Sequence, residues 1–266
     1  KKEQIKMNAN KIFEQKFHFL KQLINSYQGI KSVVDFDEYI SFFVFPFIPE
    51  EISKYLSDFD AIGVKVMVDR NMKLLDLLED KFATAKLFEE NNICKVPKIF
   101  IVNTVEEFEK AYKELKNLYP NDRVCIKYNR DEGATSFRVI DDAVEGIGSL
   151  KTGIGLKMSY IQVVEMLGSV NNFDDLIVMP YLKGPEISID SLMTRNGFIG
   201  LVRQKVGSRT TKVEYDTYFY ELSKKFAEVT GLKMPYNMQM RFHNGEWYLL
   251  EVNTRMAGGT YKSCMT

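Results

Sequence analysis

Glu251 and Asn253 stand two residues apart in Tyr248-Leu249-Leu250-Glu251-Val252-Asn253-Thr254-Arg255. In a run of strand-forming residues that spacing puts both side chains on one face. Twelve residues before Glu251, Gln239 lies in a second such run, Asn237-Met238-Gln239. The Asn244-Gly245 pair between the runs is the strongest short-range sign of a β-hairpin, so Gln239 and Glu251 are expected on neighbouring antiparallel strands. A carboxylate and two amide carbonyls on one sheet face form a hard-oxygen cluster suited to Mg²⁺, an ion usually held by a few protein oxygens together with nucleotide phosphates. Arg255 is expected on the same face, where its fork of donors suits a phosphate or a carboxylate.

A nucleotide also needs its phosphates neutralised, its adenine edge hydrogen-bonded and its ribose hydroxyls accepted. Three segments could supply this. Asp80-Lys81 opens a helix ahead of a strand, and Lys127 closes the apolar run Val124-Cys125-Ile126, so two lysines on separate elements could flank a triphosphate. Gly133-Ala134-Thr135-Ser136 is a small-residue loop whose amides and hydroxyls could close over phosphates. In Met179-Pro180-Tyr181-Leu182-Lys183-Gly184-Pro185-Glu186 an apolar strand stops at proline and restarts after Gly-Pro, which frees backbone groups from the ladder. The Pro180 carbonyl and the Leu182 amide could then read adenine, and Glu186 could accept from ribose.

Taken in chain order, Asp-Lys before a helix, strand-Lys before a small loop, Tyr-Leu-x-Gly-x-Glu, and Asn-x-Gln followed by Glu-x-Asn-x-Arg resemble the ATP-grasp superfamily over roughly residues 60 to 260. The final hairpin, its most specific part, is similar to that of the large chain of carbamoyl-phosphate synthetase. The resemblance implies an ATP-grasp fold, α/β in class, with a nucleotide held between two α+β subdomains. It implies ATP and Mg²⁺, or Mn²⁺ in its place, as cofactors. Lys81, Lys127 and the Gly133, Ala134, Thr135 and Ser136 loop would hold phosphates, the Met179-Pro180-Tyr181-Leu182 segment adenine, and Glu186 ribose. Gln239, Glu251 and Asn253 would bind metal, and Arg255 would stabilise an acyl phosphate and the transferring phosphoryl group.

The implied activity is that of a carboxylate-amine ligase acting through an acyl phosphate on a small carboxylate and an amine. A phosphotransferase or carboxylase with another acceptor, and a non-catalytic nucleotide-binding module, are the alternatives. The chain departs from the family in three places. Gly133 is followed by Ala-Thr-Ser where relatives have more glycine, Met179 stands where many have an acid, and Thr254 often is proline. The family usually opens with a Rossmann-like domain, whose first strand is hard to find here, and usually continues past Gly258-Gly259-Thr260. The expected domains are therefore a partial Rossmann-like region over 1–70, a subdomain with the phosphate loop over 71–178, and a subdomain with the metal hairpin over 179–266.

The elements that must position these residues are legible in outline. A helix is expected over 3–27, a buried strand over Ile40 to Ile48, a short helix opened by Pro49, and a buried strand over Ile62 to Val68. One helix is expected over Leu74 to Asn92 and a strand over Val96 to Ile101. Thr104-Val105-Glu106-Glu107 has the form of a capping box ahead of a helix ending near Pro120. Strands over Val124–Tyr128 and Phe137–Ile140, a helix near Tyr160–Leu167, three strands between Asp175 and Val206, and a helix over Tyr218–Thr230 stopped by Gly231 complete the outline.

Composition narrows the function classes. With 36 basic and 36 acidic residues the chain is formally neutral, which gives no global sign of nucleic-acid or anionic-membrane binding. The longest apolar run is short and broken by Pro46, so no membrane span is expected. No secretory leader is read at the start, and a cytoplasmic location is expected; a homo-oligomer is compatible with everything above. Cys94, Cys125 and Cys264 are widely spaced and are expected as reduced thiols. His18 and His243 are the two imidazoles, the first expected on a helix face and the second exposed beside the hairpin turn, which disfavours a Ser-His-Asp triad or a His-rich zinc site.

Overall fold

The computed structural model describes residues 40–42, 57, 64–66, 69–131, 135–143, 156–194, 196–207, 210–255, 257 and 259–264. The expected helices over 3–27 and after Pro49, with Gly133 and Ala134, lie outside them. The chain divides into two units, residues 1–44 with 54–67, and residues 45–53 with 68–266. In the first, β1 (Ile40–Phe42) pairs in parallel with β2 (Val64–Val66), both within the two runs expected as strands.

The second unit carries two five-stranded sheets. Its first layer is built on β3 (Phe100–Val102), β4 (Val124–Tyr128), β5 (Arg138–Ile140), β6 (Lys157–Met158) and β7 (Leu176–Pro180), in the order β3-β7-β4-β5-β6. Strand alternation gives each face its own core. Val124, Ile126, Ile140, Leu176 and Val178 pack with Val102 against buried residues of α3 (Val105–Leu118) and α4 (Tyr160–Gly168). On the opposite face Cys125, Val139, Ile177 and Met179 pack with Leu182, and Tyr248 and Leu250 of the second sheet lie against them.

That second sheet is antiparallel throughout, in the order β10-β9-β8-β11-β12, from β8 (Glu186–Thr194), β9 (Gly197–Lys205), β10 (Thr211–Glu214), β11 (Tyr236–His243) and β12 (Glu246–Asn253). The helix α5 (Thr217–Thr230) covers one face: Ser223 hydrogen-bonds Ser191 at 2.8 Å and Tyr236 at 2.9 Å, and the Phe226 ring meets Tyr236 edge-on. Gly231 ends α5 with φ +68, the left-handed conformation that made it the expected stop. The other face carries the polar residues of the site.

Four expectations change. The helix over 74–92 is two, α1 (Met72–Glu79) and α2 (Lys81–Glu90), because extended Asp80 interrupts it and caps α2 by accepting from Ala83 N at 2.7 Å. The strand over 96–101 narrows to β3, and Lys95 instead forms a single bridge with Tyr248 at the edge of β12. Thr104 caps α3 as expected, but Glu107 reaches back to Asn103 N at 2.8 Å. His243 is buried at 8% exposure, its Nε2 2.9 Å from Asp122 Oδ2. The three cysteines are free thiols, and no described helix is long and apolar enough to cross a membrane.

Candidate active site

The hairpin of β11 and β12 places Gln239 directly opposite Glu251 and Asn237 directly opposite Asn253. Directly opposed residues share a face, so the four polar side chains form one array. The ladder shifts between Gln239 and Met240, whose partners are Glu251 and Leu249, so Leu250 is an extra residue on β12. This bulge resolves a conflict of parity. Trp247 packs edge-on to Phe219 of α5, Leu249 is buried opposite Met240, and Val252 opposite Met238. Odd and even positions could not all face α5 on an unbroken strand. The bulge changes the count between Leu249 and Glu251 and turns Glu251 and Asn253 to the polar face.

Within that face Asn253 Nδ2 donates to Glu251 Oε1 at 3.1 Å, leaving the Asn253 carbonyl to point elsewhere. Among the described residues no three of His, Cys, Asp and Glu gather as metal ligands. A cation here would rest on one carboxylate, amide oxygens and phosphate, a donor set that fits Mg²⁺ and not softer metals. Arg255 lies beyond the end of β12 and is half-buried. Strict alternation therefore carries the shared face only as far as Asn253.

Lys81 stands at the start of α2. Its Nζ donates to the backbone carbonyls of Asp131 at 2.8 Å and Asn129 at 3.3 Å. Buried Asn129 fixes the start of α2 by accepting from Phe82 N through Oδ1 at 2.9 Å. Burial, and then the charge of Lys127, push the Lys81 ammonium below its ordinary range, while Glu251 and Asp131 pull it back up. Lys81 thus feels the charges of both Lys127 and Glu251, which are far from it in sequence. Lys127 follows Cys125 by two on the inter-sheet face of β4.

The loop after β4 is organised by Asp131, which the sequence reading passed over. It accepts from Thr135 Oγ1 at 2.8 Å, from Ser136 N at 2.9 Å and from Ser136 Oγ. Burial raises its pKa, but these bonds and the Lys81 charge outweigh that and hold it below the usual carboxylate range. The hydroxyls of Thr135 and Ser136 are thus engaged within the loop.

The Met179–Glu186 segment is tied down along its length. Val124 and Cys125 pair with Pro180 and Met179, and Tyr181 N donates to Arg123 O at 2.7 Å. Arg241 NH1 donates to Leu182 O at 3.3 Å, Lys183 N to His243 Nδ1 at 3.4 Å, and Phe242 N to Pro185 O at 2.9 Å. Gly184 lies so close to the Phe242 carbonyl that a Cβ would overlap it. Glu186 is paired with Arg241, its partner in the ladder.

Asp190 was also missed. On β8, opposite Asn237, it is 5% exposed and accepts from Arg203 Nε at 3.0 Å, Asn237 Nδ2 at 2.7 Å, Thr260 Oγ1 at 2.9 Å and Ser263 Oγ at 2.7 Å. It joins β9, β11 and the short helix α6 (Thr260–Ser263) on the same face as Asn237. Nothing in the local sequence marks it, since Ile187-Ser188-Ile189-Asp190 reads as an ordinary half-exposed strand.

Residues 172–266 match the family model described as ATP-grasp in the biosynthetic pathway with Ter operon. The architecture is similar to that of solved ATP-grasp structures, each at low identity. The VanG D-Ala:D-Ser ligase from Enterococcus faecalis has TM-score 0.50 and 19% identity over 77% of this chain and 60% of its own. The ATP-grasp ligase PsnB, solved with minimal precursor, Mg and ADP, has TM-score 0.54 and 14% identity over 80% and 61%. A biotin carboxylase from Campylobacter jejuni has TM-score 0.55 and 15% identity over 85% and 51%. This is the ATP-grasp fold. The chain spans between about half and three fifths of the length of these structures. No curated protein sequence matches it.

Proposed function

We propose that the protein is an ATP- and Mg²⁺-dependent ligase of the carboxylate-amine type, resembling the carbamoyl-phosphate synthetase large chain in its metal hairpin. The observation that carries this reading is the direct pairing of Gln239 with Glu251, with Asn253 on the same face and Lys81 feeling the charges of both Lys127 and Glu251. In this reading ATP lies between the halves 71–178 and 179–266, preceded by a Rossmann-like region over 1–70. Lys81 and Lys127 meet the phosphates, and the Gly133 to Ser136 loop covers them through backbone amides. The Pro180 carbonyl and Leu182 amide read adenine between Met179 and Tyr181, and Glu186 accepts from ribose with the oxygen that Arg241 leaves available.

Gln239, Glu251 and Asn253 would hold Mg²⁺, or Mn²⁺, which when bound neutralises charge on the β- and γ-phosphates. A small carboxylate attacks the γ-phosphorus, forming the acyl phosphate and releasing ADP. An amine then attacks the acyl carbon and expels phosphate. Arg255 steadies the charge that develops on the phosphoryl and acyl oxygens. Chemistry of this kind depends on positioning and fixed charge, so no imidazole base is required.

The test is phosphate and ADP release by the protein with Mg·ATP and pools of small carboxylates and amines. Substrate-dependent release is expected, and Glu251→Gln, which removes the one formal charge of the array, should abolish it while circular dichroism stays unchanged. Wild-type release by that variant would undo the metal assignment. ATP binding with no release from any pool would favour a nucleotide-binding module.

A further inference from the structure

Asn237 is fully buried on the polar face of β11, directly opposite Asn253 and two residues from Gln239. Its Nδ2 donates to Asp190 Oδ1 at 2.7 Å. That contact fixes which end of the amide is which, because a flipped amide would set its carbonyl against a carboxylate, acceptor against acceptor. Asp190 is in turn held by Arg203, Thr260 and Ser263, so it cannot turn away to accommodate a flip. The remaining group of the amide is Oδ1, and among the described residues it has no hydrogen-bond partner. A buried carbonyl without a partner is costly and uncommon in a native fold. The amide nitrogen directly across the pair, Asn253 Nδ2, donates to Glu251 at 3.1 Å and not to Oδ1. What Oδ1 lacks is a donor or a cation, on the face that Gln239, Glu251 and Asn253 share.

We propose that Asn237 Oδ1 is a further oxygen of the cation site, reaching the ion directly or through one of its coordinated waters, and that Asp190 is the positioning residue that presents it. The inference rests on the metal-hairpin reading above. It assigns to the buried Asp190 cluster a purpose beyond packing: by taking the N–H end of the amide it leaves only the carbonyl end for the ion.

Mn²⁺ is the probe, titrated with a non-hydrolysable ATP analogue and followed by the paramagnetic resonance signal of the free ion and by melting temperature. Asn237→Leu keeps the volume and removes the oxygen; it should weaken Mn²⁺ about tenfold, as loss of a supporting group at a metal site does. Asn237→Asp sets a second carboxylate beside Asp190. It should melt below wild type without Mn²⁺ and gain more than wild type when Mn²⁺ is added. Wild-type Mn²⁺ affinity in Asn237→Leu, or no extra gain in Asn237→Asp, overturns the proposal; if the leucine variant does not fold, the aspartate variant's Mn²⁺-dependent melting decides alone. Glu251→Gln separates the two levels. Loss of Mn²⁺ there with full retention in Asn237→Leu defeats this inference only, whereas full retention in Glu251→Gln defeats the metal-hairpin reading and this inference with it.

Discussion

Lys81 is held by two backbone carbonyls, which hydrogen-bond its ammonium without neutralising it. With Lys127 beside it the charge is under pressure from burial and from a like neighbour, a tension that an anionic ligand relieves. Arg255 is set apart from this pair, past the end of β12, on the side of the array away from the hairpin turn. If it serves the reacting groups, its contribution grows toward the transition state and appears in turnover more than in affinity. Arg255→Lys should then lower turnover by about a hundredfold, as loss of one oxyanion donor does, with the ATP dissociation constant moving only a few-fold. Steady-state kinetics paired with calorimetric ATP titration measures both, and a large loss of affinity at near-normal turnover would reassign Arg255 to nucleotide binding. At this scale the sequence was readable where polar residues repeat at period two beside a turn, as at Glu251 and Asn253. It was not readable at Asp190 or His243, whose roles depend on partners brought from elsewhere: Asp190 and Ser263 meet across 73 residues, and His243 and Asp122 across 121.

The elements reward the same distinction. Caps and turns were legible because their chemistry is local: Thr104 on α3, Gly231 after α5, Asn244-Gly245 between β11 and β12. The break at Asp80 was half visible, since Asp is a good helix cap, yet the apolar periodicity runs on through it. The bulge left one trace, the adjacent apolar pair Leu249-Leu250, which alternation alone does not permit on a one-sided strand. The segment between β7 and β8 shows how an element imposes a residue. Its amides and carbonyls are bonded to β11 so closely that position 184 has no room for a side chain, and the obstructing atom is a backbone carbonyl. Gly184→Ala should therefore displace the segment, costing about 1–3 kcal/mol of stability by overpacking, and should raise KM for ATP several-fold with less change in kcat. Urea unfolding and ATP kinetics test it; wild-type values for both would show that the segment absorbs the methyl group without moving.

At the scale of the larger unit, its two sheets meet through Tyr248 and Leu250 against the face that contains Cys125. Burial pushes the Cys125 thiol up to about 12, with Lys127 and Arg241 pulling against it, and it is 2% exposed. Since the thiolate is the reactive form, Cys125 should label only when the sheets part. Native-state alkylation followed by mass spectrometry should modify exposed Cys264 first and Cys125 slowest, and Mg·ATP should slow Cys125 further; rapid labelling of Cys125 that ATP does not affect would mean that the sheets are not held together as described. The overall architecture was legible because motif order reports topology, whereas the contact between the sheets joins residues that no local pattern links. Asp190 gives the molecule a clock as well as a clasp. During synthesis Arg203 follows it by 13 residues and Asn237 by 47, while Thr260 and Ser263 trail by 70 and 73. At roughly 5–20 residues per second the carboxylate waits about 4–15 s for its last two donors. The hairpin's last oxygen, on Asn253, is made only 7 residues before Thr260 and 10 before Ser263, so the array is complete only just before the hydroxyls that lock its support.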